Sequence, residues 1–98
     1  MATKHDKTAQ RIAQKEGTSY NKGQGPDIKT SRQVTEVETI DTISDAARQL
    51  QGYQRPVYVA GEDDAATQAA LEYYRDTTIG VKDPSGNILK SSSRKRAQ

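Results

Sequence analysis

The apolar positions of the chain follow helical spacing in some stretches and strand spacing in others. In residues 5–16, Ala9, Ile12 and Ala13 recur at intervals of three and four, and Gly17 interrupts the pattern. This spacing predicts an amphipathic helix that ends at the glycine. A loop rich in turn-forming residues follows and separates this helix from the next ordered stretch.

Two short stretches after the loop favour strands. Residues 26–30 begin with a proline, and residues 33–40 are rich in β-branched side chains, which fit a pleated surface. Because few residues separate them, we expect an antiparallel hairpin that turns near Ser31 and Arg32. In that register the numbers of directly opposed residues sum to 63.

The rest of the chain predicts alternating helices and strands. The predicted elements are a helix from Thr42 or Ser44 to Tyr53, a buried strand at 56–61, a helix from Asp63 or Asp64, and strands at 77–82 and 87–90 around a turn at 83–86. The whole order is helix, strand, strand, helix, strand, helix, strand, strand. It predicts an α/β fold in which helices flank a small mixed sheet.

Length and composition limit the organisation further. Ninety-eight residues allow one domain, which we place at 5–90, between a flexible N-terminus at 1–4 and a disordered basic tail at 91–98. The apolar content is low, so a homodimer would add buried area to a small core. The absence of cysteine excludes disulfides, thiolate metal sites and a cysteine nucleophile. With no membrane-length apolar run and no signal-peptide pattern, we expect a cytoplasmic protein.

Three carboxylates are predicted to share one face of the hairpin. In the expected register Asp27 lies opposite Glu36, and Glu38, two residues further along, points to the same side. Like charges this close repel each other, so the fold requires a cation among them, and a divalent ion with oxygen ligands is the natural candidate. Glutamates at alternate strand positions are also typical of the solvent-facing side of a half-exposed sheet.

The chain contains Pro26-Asp27, then eight further residues, then Glu36-Val37-Glu38. This pattern resembles the active-site hairpin of the restriction-endonuclease-like, or PD-(D/E)XK, nucleases. Most of that family has lysine where this chain has Glu38. The predicted element order over residues 5–61 resembles the common core of the family, and the Gln-Leu and later Tyr of the central helix are similar to a stretch found in several members.

This resemblance implies a nuclease that hydrolyses phosphodiester bonds in DNA with Mg²⁺ or Mn²⁺. By analogy, Asp27 and Glu36 would be metal ligands together with the carbonyl of Val37. Glu38 would bind a second ion or act as general base. Lys29, on the same face as Asp27, would replace the missing lysine.

Further residues are candidates for supporting roles. Gln49 in the central helix would orient water or phosphate, and Asp6 or Glu16 from the first helix would add a carboxylate. His5 is the only histidine of the chain, and a lone histidine near a terminus is usually a solvated side chain.

Basic clusters leave two interpretations open. Two groups of basic residues would contact phosphates of nucleic acid or would only add solubility. They are Lys4, Lys7 and Arg11, and the cluster at 94–96. The tyrosines would stack on bases or fill the core. Two alternatives to the nuclease therefore stand: a non-catalytic nucleic-acid-binding or accessory module of the same fold, and a small α/β interaction domain with its acids on the surface.

Overall fold

A five-stranded mixed sheet with helices on both faces forms the framework of the protein. The computed structural model describes residues 3–22 and 26–94. The elements are α1 (Lys4–Lys15), β1 (Ile28–Lys29), β2 (Val34–Glu38), a 3₁₀ turn (Ile43–Asp45) continuing into α2 (Ala46–Gln49), β3 (Val57–Gly61), α3 (Asp64–Tyr73), β4 (Gly80–Lys82) and β5 (Ile88–Lys90). The prediction of an α/β fold is confirmed.

The strands follow one another across the sheet in chain order. β2, β3 and β4 run parallel, while β1 and β5 form antiparallel outer strands. The return connections between the parallel strands pass through α2 and α3. The carboxyl ends of three strands therefore meet at one edge of the sheet, where ligand sites of open α/β sheets usually lie.

The β1–β2 hairpin has the predicted register. Ile28 pairs with Thr35 and Lys29 pairs with Val34. Both strands are shorter than expected. At the turn, the hydroxyl of Thr30 accepts hydrogen bonds from the backbone N–H groups of Arg32 and Gln33, at 3.1 Å each. These bonds hold the chain in a tight turn and take it out of the ladder.

The central helix is much shorter than predicted. Instead of a helix reaching Tyr53, the chain makes a 3₁₀ turn and a single α-helical turn that ends at Gln49. Leu50 is fully buried, and Gly52 takes a positive φ of 90° that turns the chain toward β3. In a 3₁₀ helix every third side chain lies on the same face, and such helices are short. The apolar side chains of this segment therefore pack against the sheet only over a short stretch of chain.

Two clusters of buried residues cover the two faces of the sheet. On one face the 3₁₀ turn, α2 and α3 pack on alternate residues of β2, β3 and β4, including Val34, Val59 and Val81. On the other face α1 packs through Ile12 and its neighbours on Ile28 and on residues of β2 and β3. Since side chains alternate along a strand, Glu36 and Glu38 belong to the face of α2 and α3.

Both ends of the described chain are tied to the fold. Thr3 caps α1 by accepting a hydrogen bond from the backbone N–H of Asp6 at 3.1 Å. After β5, Ser93 donates to the carbonyl of Thr78 at 2.9 Å, and the Arg94 guanidinium donates to the carbonyl of Leu50 at 2.7 Å. Residues 1–2 of the predicted flexible N-terminus and residues 95–98 of the predicted tail lie outside the described residues.

No helix within the described parts of the chain has the length and apolar character needed to cross a bilayer.

Candidate carboxylate site at the hairpin

Asp27 and Glu36 are joined across the hairpin by backbone hydrogen bonds. The N–H of Asp27 donates to Oε1 of Glu36 at 3.2 Å, and the N–H of Val37 donates to Oδ2 of Asp27 at 2.9 Å. The register of β1 and β2 places the two acids opposite each other at the point where β1 begins. Each carboxylate is therefore held by the backbone of the partner strand.

Glu36 and Glu38 are buried, with relative accessibilities of 3% and 5%. All five residues of β2 are buried, since β1 and β3 flank the strand and helices cover both of its faces. The interpretation of these glutamates as the solvent-facing side of a half-exposed sheet is wrong. Carboxylates are seldom buried to this extent without a partner, which makes them candidates for a functional role.

Burial, and after it the neighbouring negative charge of Asp27, together raise the pKa of Glu36 to about 8. Burial also raises the pKa of Glu38, whereas a hydrogen bond from Thr42 opposes that change. Near neutral pH the Glu36 carboxyl therefore tends to keep its proton unless a cation is bound. Asp27, Glu36 and Glu38 share one electrostatic environment, and we call these three residues the carboxylate site.

His5 reaches this site from the first turn of α1. Its Nε2 lies 2.8 Å from the carbonyl oxygen of Val37 and 3.3 Å from Oδ2 of Asp27. The expectation of a solvated histidine is wrong. The sequence does contain the signal: His5 precedes Ala9 and Ile12 by four and seven residues, so it lies in line with the buried stripe of the helix.

The other ring nitrogen of His5 faces a second polar group. Nδ1 lies 3.4 Å from the hydroxyl of Tyr20 and 3.5 Å from Oδ1 of Asp6. The Tyr20 hydroxyl donates to Asp6 at 2.8 Å, and this bond is the largest of the effects that lower the pKa of Asp6. Asp6, one of two predicted helix carboxylates, is thus linked to Asp27 through the imidazole.

Three further candidates point elsewhere. Lys29 places its Nζ 5.8 Å from the ring centroid of Tyr53. Gln49 is exposed at the end of α2, and within residues 3–22 and 26–94 it forms no hydrogen bond to the carboxylate site. Glu16 lies at the far end of α1, where it pairs with Lys82 at 2.6 Å.

The oxygen-rich composition of the site suits a hard divalent cation. Across the part of the chain that the structure describes, however, no three side chains of aspartate, glutamate, histidine or cysteine lie together as ligands for one ion. Asp27, Glu36 and the Val37 carbonyl offer two carboxylates and one backbone oxygen, and the pKa of Glu36, which burial and the charge of Asp27 raise, would fall if a cation were bound. Comparison of the chain with protein-family models, with curated proteins and with solved structures finds no match.

Proposed function

We propose that this chain is a small metal-dependent nuclease of the restriction-endonuclease-like fold that hydrolyses phosphodiester bonds in DNA. The observation that carries the proposal is the placement of Asp27 opposite a buried Glu36 whose pKa is raised to about 8. A hairpin that keeps two acids this close and withdraws one of them from water makes a second negative charge costly, so Glu36 keeps its proton near neutral pH. A bound Mg²⁺ or Mn²⁺ ion would offset that charge.

Asp27, Glu36 and the carbonyl of Val37 would hold the ion, as in the nuclease family that the hairpin resembles. When bound, Mg²⁺ or Mn²⁺ polarises a phosphodiester and supplies an activated water. The chain's own contribution is orientation: the Val37 N–H fixes one oxygen of Asp27, and His5 contacts that same oxygen. Glu38, where the family has lysine, adds a second buried acid beside them.

His5 supports the proposal because it lies where a positive or hydrogen-bonding group is needed. The lysine of the family motif is absent, and Lys29 rests on Tyr53 instead of on the acids. The imidazole Nε2, 3.3 Å from Oδ2 of Asp27, brings a hydrogen-bonding nitrogen to the acids from outside the hairpin. We infer that His5 takes over part of the role of the missing lysine.

Basic side chains beside the site support a nucleic-acid substrate. Lys22 lies 5.9 Å from the ring centroid of Tyr20, the tyrosine that contacts Asp6. Lys7 is exposed on the first turns of α1, two residues after His5 in sequence. Contacts of such residues with phosphates would give affinity that falls with salt and does not depend on base sequence.

Cleavage of supercoiled plasmid in Mg²⁺ or Mn²⁺, against a reaction with EDTA, tests the proposal. We expect nicking by the native chain and its loss in Asp27→Asn and Glu36→Gln. The matched control is Asp64→Asn, which removes an exposed carboxylate in the first turn of α3. Equal cleavage by the native chain and Asp27→Asn, with circular dichroism showing that both are folded, would overturn the proposal.

A second candidate is a non-catalytic nucleic-acid-binding or accessory module of the same fold. It is favoured by the lack of a three-side-chain ligand set among the described residues and by Glu38 in the lysine position. Fluorescence anisotropy with labelled duplex DNA separates the two candidates. Binding that weakens with salt, combined with no metal-dependent nicking, selects the second candidate.

We further propose that the chain acts as a homodimer. The outer strand β5 exposes Ile88 and Leu89, each about half accessible, and a second copy would cover them. Light scattering at several concentrations tests this, and a constant monomer mass would contradict it.

A further inference from the structure

Three segments of the chain carry basic residues and no acidic ones. None of the 13 aspartates and glutamates falls within residues 28–35, 46–61 or 84–94, although the net charge of the whole chain is only +2. Positive charge is therefore concentrated in part of the sequence. The six basic residues of the three segments are Lys29, Arg32, Arg48, Arg55, Lys90 and Arg94.

The fold brings these three segments together at the amino ends of the parallel strands. At the start of β2, the N–H of Val34 donates to the carbonyl of Pro56 at 3.0 Å. At the start of β3, the N–H of Val57 donates to Oγ of Ser92 at 3.1 Å. We call this side of the sheet the amino edge. Glu38, the last residue of β2, lies at the opposite edge.

Basic side chains at the amino edge contact backbone carbonyls and one aromatic ring. Arg55 donates from Nη1 to the carbonyl of Thr30 at 2.8 Å. Arg94 donates from Nη1 to the carbonyl of Tyr53 at 3.3 Å. The Nζ of Lys29 lies 5.8 Å from the centroid of the Tyr53 ring. One cation from each of the three segments therefore lies in the neighbourhood of Tyr53.

The other three basic residues border this neighbourhood. Arg32 is exposed in the hairpin turn, and Arg48 is exposed in α2, which leads into the loop that Arg94 contacts. Lys90 donates from Nζ to the carbonyl of Thr77 at 2.9 Å, just before the amino end of β4. We call the six basic residues of the three segments the basic surface.

The basic surface has no counter-charge of its own. Within residues 3–22 and 26–94, none of its six members forms an ion pair with an acid. Other cations of the chain do pair, as Lys4 does with Asp63 at 2.8 Å. Glu16, which lines a cavity together with Arg32, is paired with Lys82 instead. The basic surface is therefore suited to a negatively charged partner.

We propose that the basic surface binds the sugar–phosphate backbone of a nucleic acid without reading its base sequence. Each lysine or arginine that neutralises a phosphate releases a counterion, so a polymer with regularly spaced charges gains from several cations at once. A small anion engages only one or two of them. Arg55 and Arg94 are held in position by their contacts with carbonyls, and each guanidinium has five N–H groups, so both keep donors for a phosphate.

The uncharged side chains at the amino edge favour a nucleic acid over a membrane. Stable binding to a lipid surface also needs apolar side chains that insert among the lipids. The exposed apolar residues of β5, Ile88 and Leu89, lie toward its other end, since Ile88 pairs with Lys82 at the carboxyl end of β4. The exposed residues of the three segments near the amino edge are polar and can donate to phosphates. They are Ser31, Gln51, Gln54, Ser91 and Ser93.

Binding at the basic surface does not depend on the proposed nuclease activity. Val34 and Glu38 lie at opposite ends of β2, roughly 13 Å apart at a rise of 3.3 Å per residue. The contacts at the amino edge come from lysine and arginine side chains, so they need no metal ion. Lys7 and Lys22, which support the nuclease proposal, are not members of the basic surface. The two proposals can therefore be tested independently.

The test is fluorescence anisotropy of a labelled DNA duplex titrated with the full chain in EDTA, at several salt concentrations. The test variant combines Lys29→Gln with Arg48→Gln, which are both exposed. The matched control combines Lys4→Gln with Arg75→Gln. It removes the same two charge types from exposed residues that are paired with acids. Circular dichroism checks that both variants are folded.

We expect the native chain to bind the duplex with an affinity that falls as salt rises. The test variant should reduce the slope of log affinity against log salt concentration by about 2, because each lost phosphate contact removes about 1. The control variant should keep the native slope. Equal reductions in both variants, a reduction in the control variant alone, or no binding by the native chain would overturn the proposal.

Two further probes test the class of partner. Poly-glutamate at the same concentration of charge should not displace the duplex, and displacement would show a surface for any polyanion, which overturns the proposal. Sedimentation of the chain with phosphatidylserine vesicles, without binding of the duplex, would assign the basic surface to a membrane instead. Because the assay contains EDTA, a chain that binds at the amino edge but does not nick plasmid supports this proposal and contradicts only the nuclease.

Discussion

The backbone N–H of Asp27 donates to the buried carboxyl of Glu36 at 3.2 Å, and the side chain of Asp27 accepts from the strand that carries this glutamate. The two acids therefore cannot move apart without breaking the hairpin. One neutral donor compensates only part of the cost of a buried charge. The pair is therefore disposed to take up either a proton or a cation.

The first prediction concerns the pH dependence of stability. The pKa of Glu36 rises from its ordinary value of 4.5 to about 8 on folding, because of burial and the charge of Asp27. Below pH 4.5 the group is protonated in both states. Between pH 4.5 and about 8 the unfolded chain loses this proton while the folded chain keeps it, so the free energy of unfolding falls. Without divalent ions, Glu36→Gln should lack this decline and exceed the native chain by on the order of 3 kcal/mol at pH 8.

Urea denaturation at several pH values, in EDTA, measures this difference. The matched control is Glu72→Gln, which removes an exposed glutamate from α3 and should leave the pH dependence as it is in the native chain. A Glu36→Gln protein that loses stability over the same pH range as the native chain would contradict the assignment. Mg²⁺ at pH 8 should restore stability to the native chain but not to Asp27→Asn.

The second prediction concerns His5. Replacing it with alanine removes the donor to the Val37 carbonyl, at 2.8 Å, and the contact with Asp27. We expect His5→Ala to lower the free energy of unfolding by about 1–2 kcal/mol. His5→Gln, whose amide NH₂ can donate to the same carbonyl, should recover part of the loss.

Thermal or urea denaturation measures both variants of His5. Lys7→Ala is the control, because it changes an exposed residue on the same helical turns. If His5→Ala and Lys7→Ala lose the same stability, then His5 does not anchor α1 to the hairpin. A double-mutant cycle with Asp27→Asn gives the coupling between the two side chains directly.

The hairpin could be predicted from sequence because its determinants are local. The few polar residues between two β-branched stretches fix the turn, the turn fixes the register, and the register places Asp27 opposite Glu36. Likewise, the spacing of Ala9 and Ile12 defines α1 without any knowledge of its partners. Strand alternation then places Glu38 on the same face as Glu36.

Features that depend on contacts distant in sequence could not be predicted in this way. His5 joins the site because α1 packs across β2, and the sequence gives no distance between position 5 and position 37. Lys29 has the predicted face, but the Tyr53 ring nearby attracts its ammonium group. Gln49 lies in the predicted helix, but its side chain is exposed at the end of α2, and the sequence does not show which way that helix faces.

The third prediction concerns the ion pair of Lys82 and Glu16. Lys82→Met leaves the Glu16 carboxylate, already lacking one partner, without its counter-charge. Breaking a buried pair on one side costs about 3–5 kcal/mol, whereas replacing both members with apolar residues is often neutral. Lys82→Met should therefore be strongly destabilised. Lys82→Met with Glu16→Met should recover part of the loss, because Thr35 and Gln33 still lack the donor that Lys82 provided. Lys7→Met, at an exposed position, is the control, and a double variant as unstable as Lys82→Met would contradict this account.

The fourth prediction compares two adjacent tyrosines. The buried hydroxyl of Tyr74 donates to the carbonyl of Ile43 at 2.6 Å and accepts from the N–H of Ala47 at 3.1 Å, which ties α3 to the 3₁₀ turn and α2. Tyr74→Phe leaves two backbone groups without a partner and should cost about 1–3 kcal/mol. Tyr73→Phe removes the same hydroxyl from an exposed ring and should cost almost nothing.

Urea denaturation of the two phenylalanine variants measures this contrast. Amide hydrogen exchange adds a local readout, because Tyr74→Phe should speed exchange at Ala47 while Tyr73→Phe should not. Equal stability of both variants would show that the Tyr74 hydroxyl does not hold the short central helix in place. The single turn of α2 is too short to be stable by itself, so this bond, together with the buried Ile43 and Leu50, keeps the helix against the sheet.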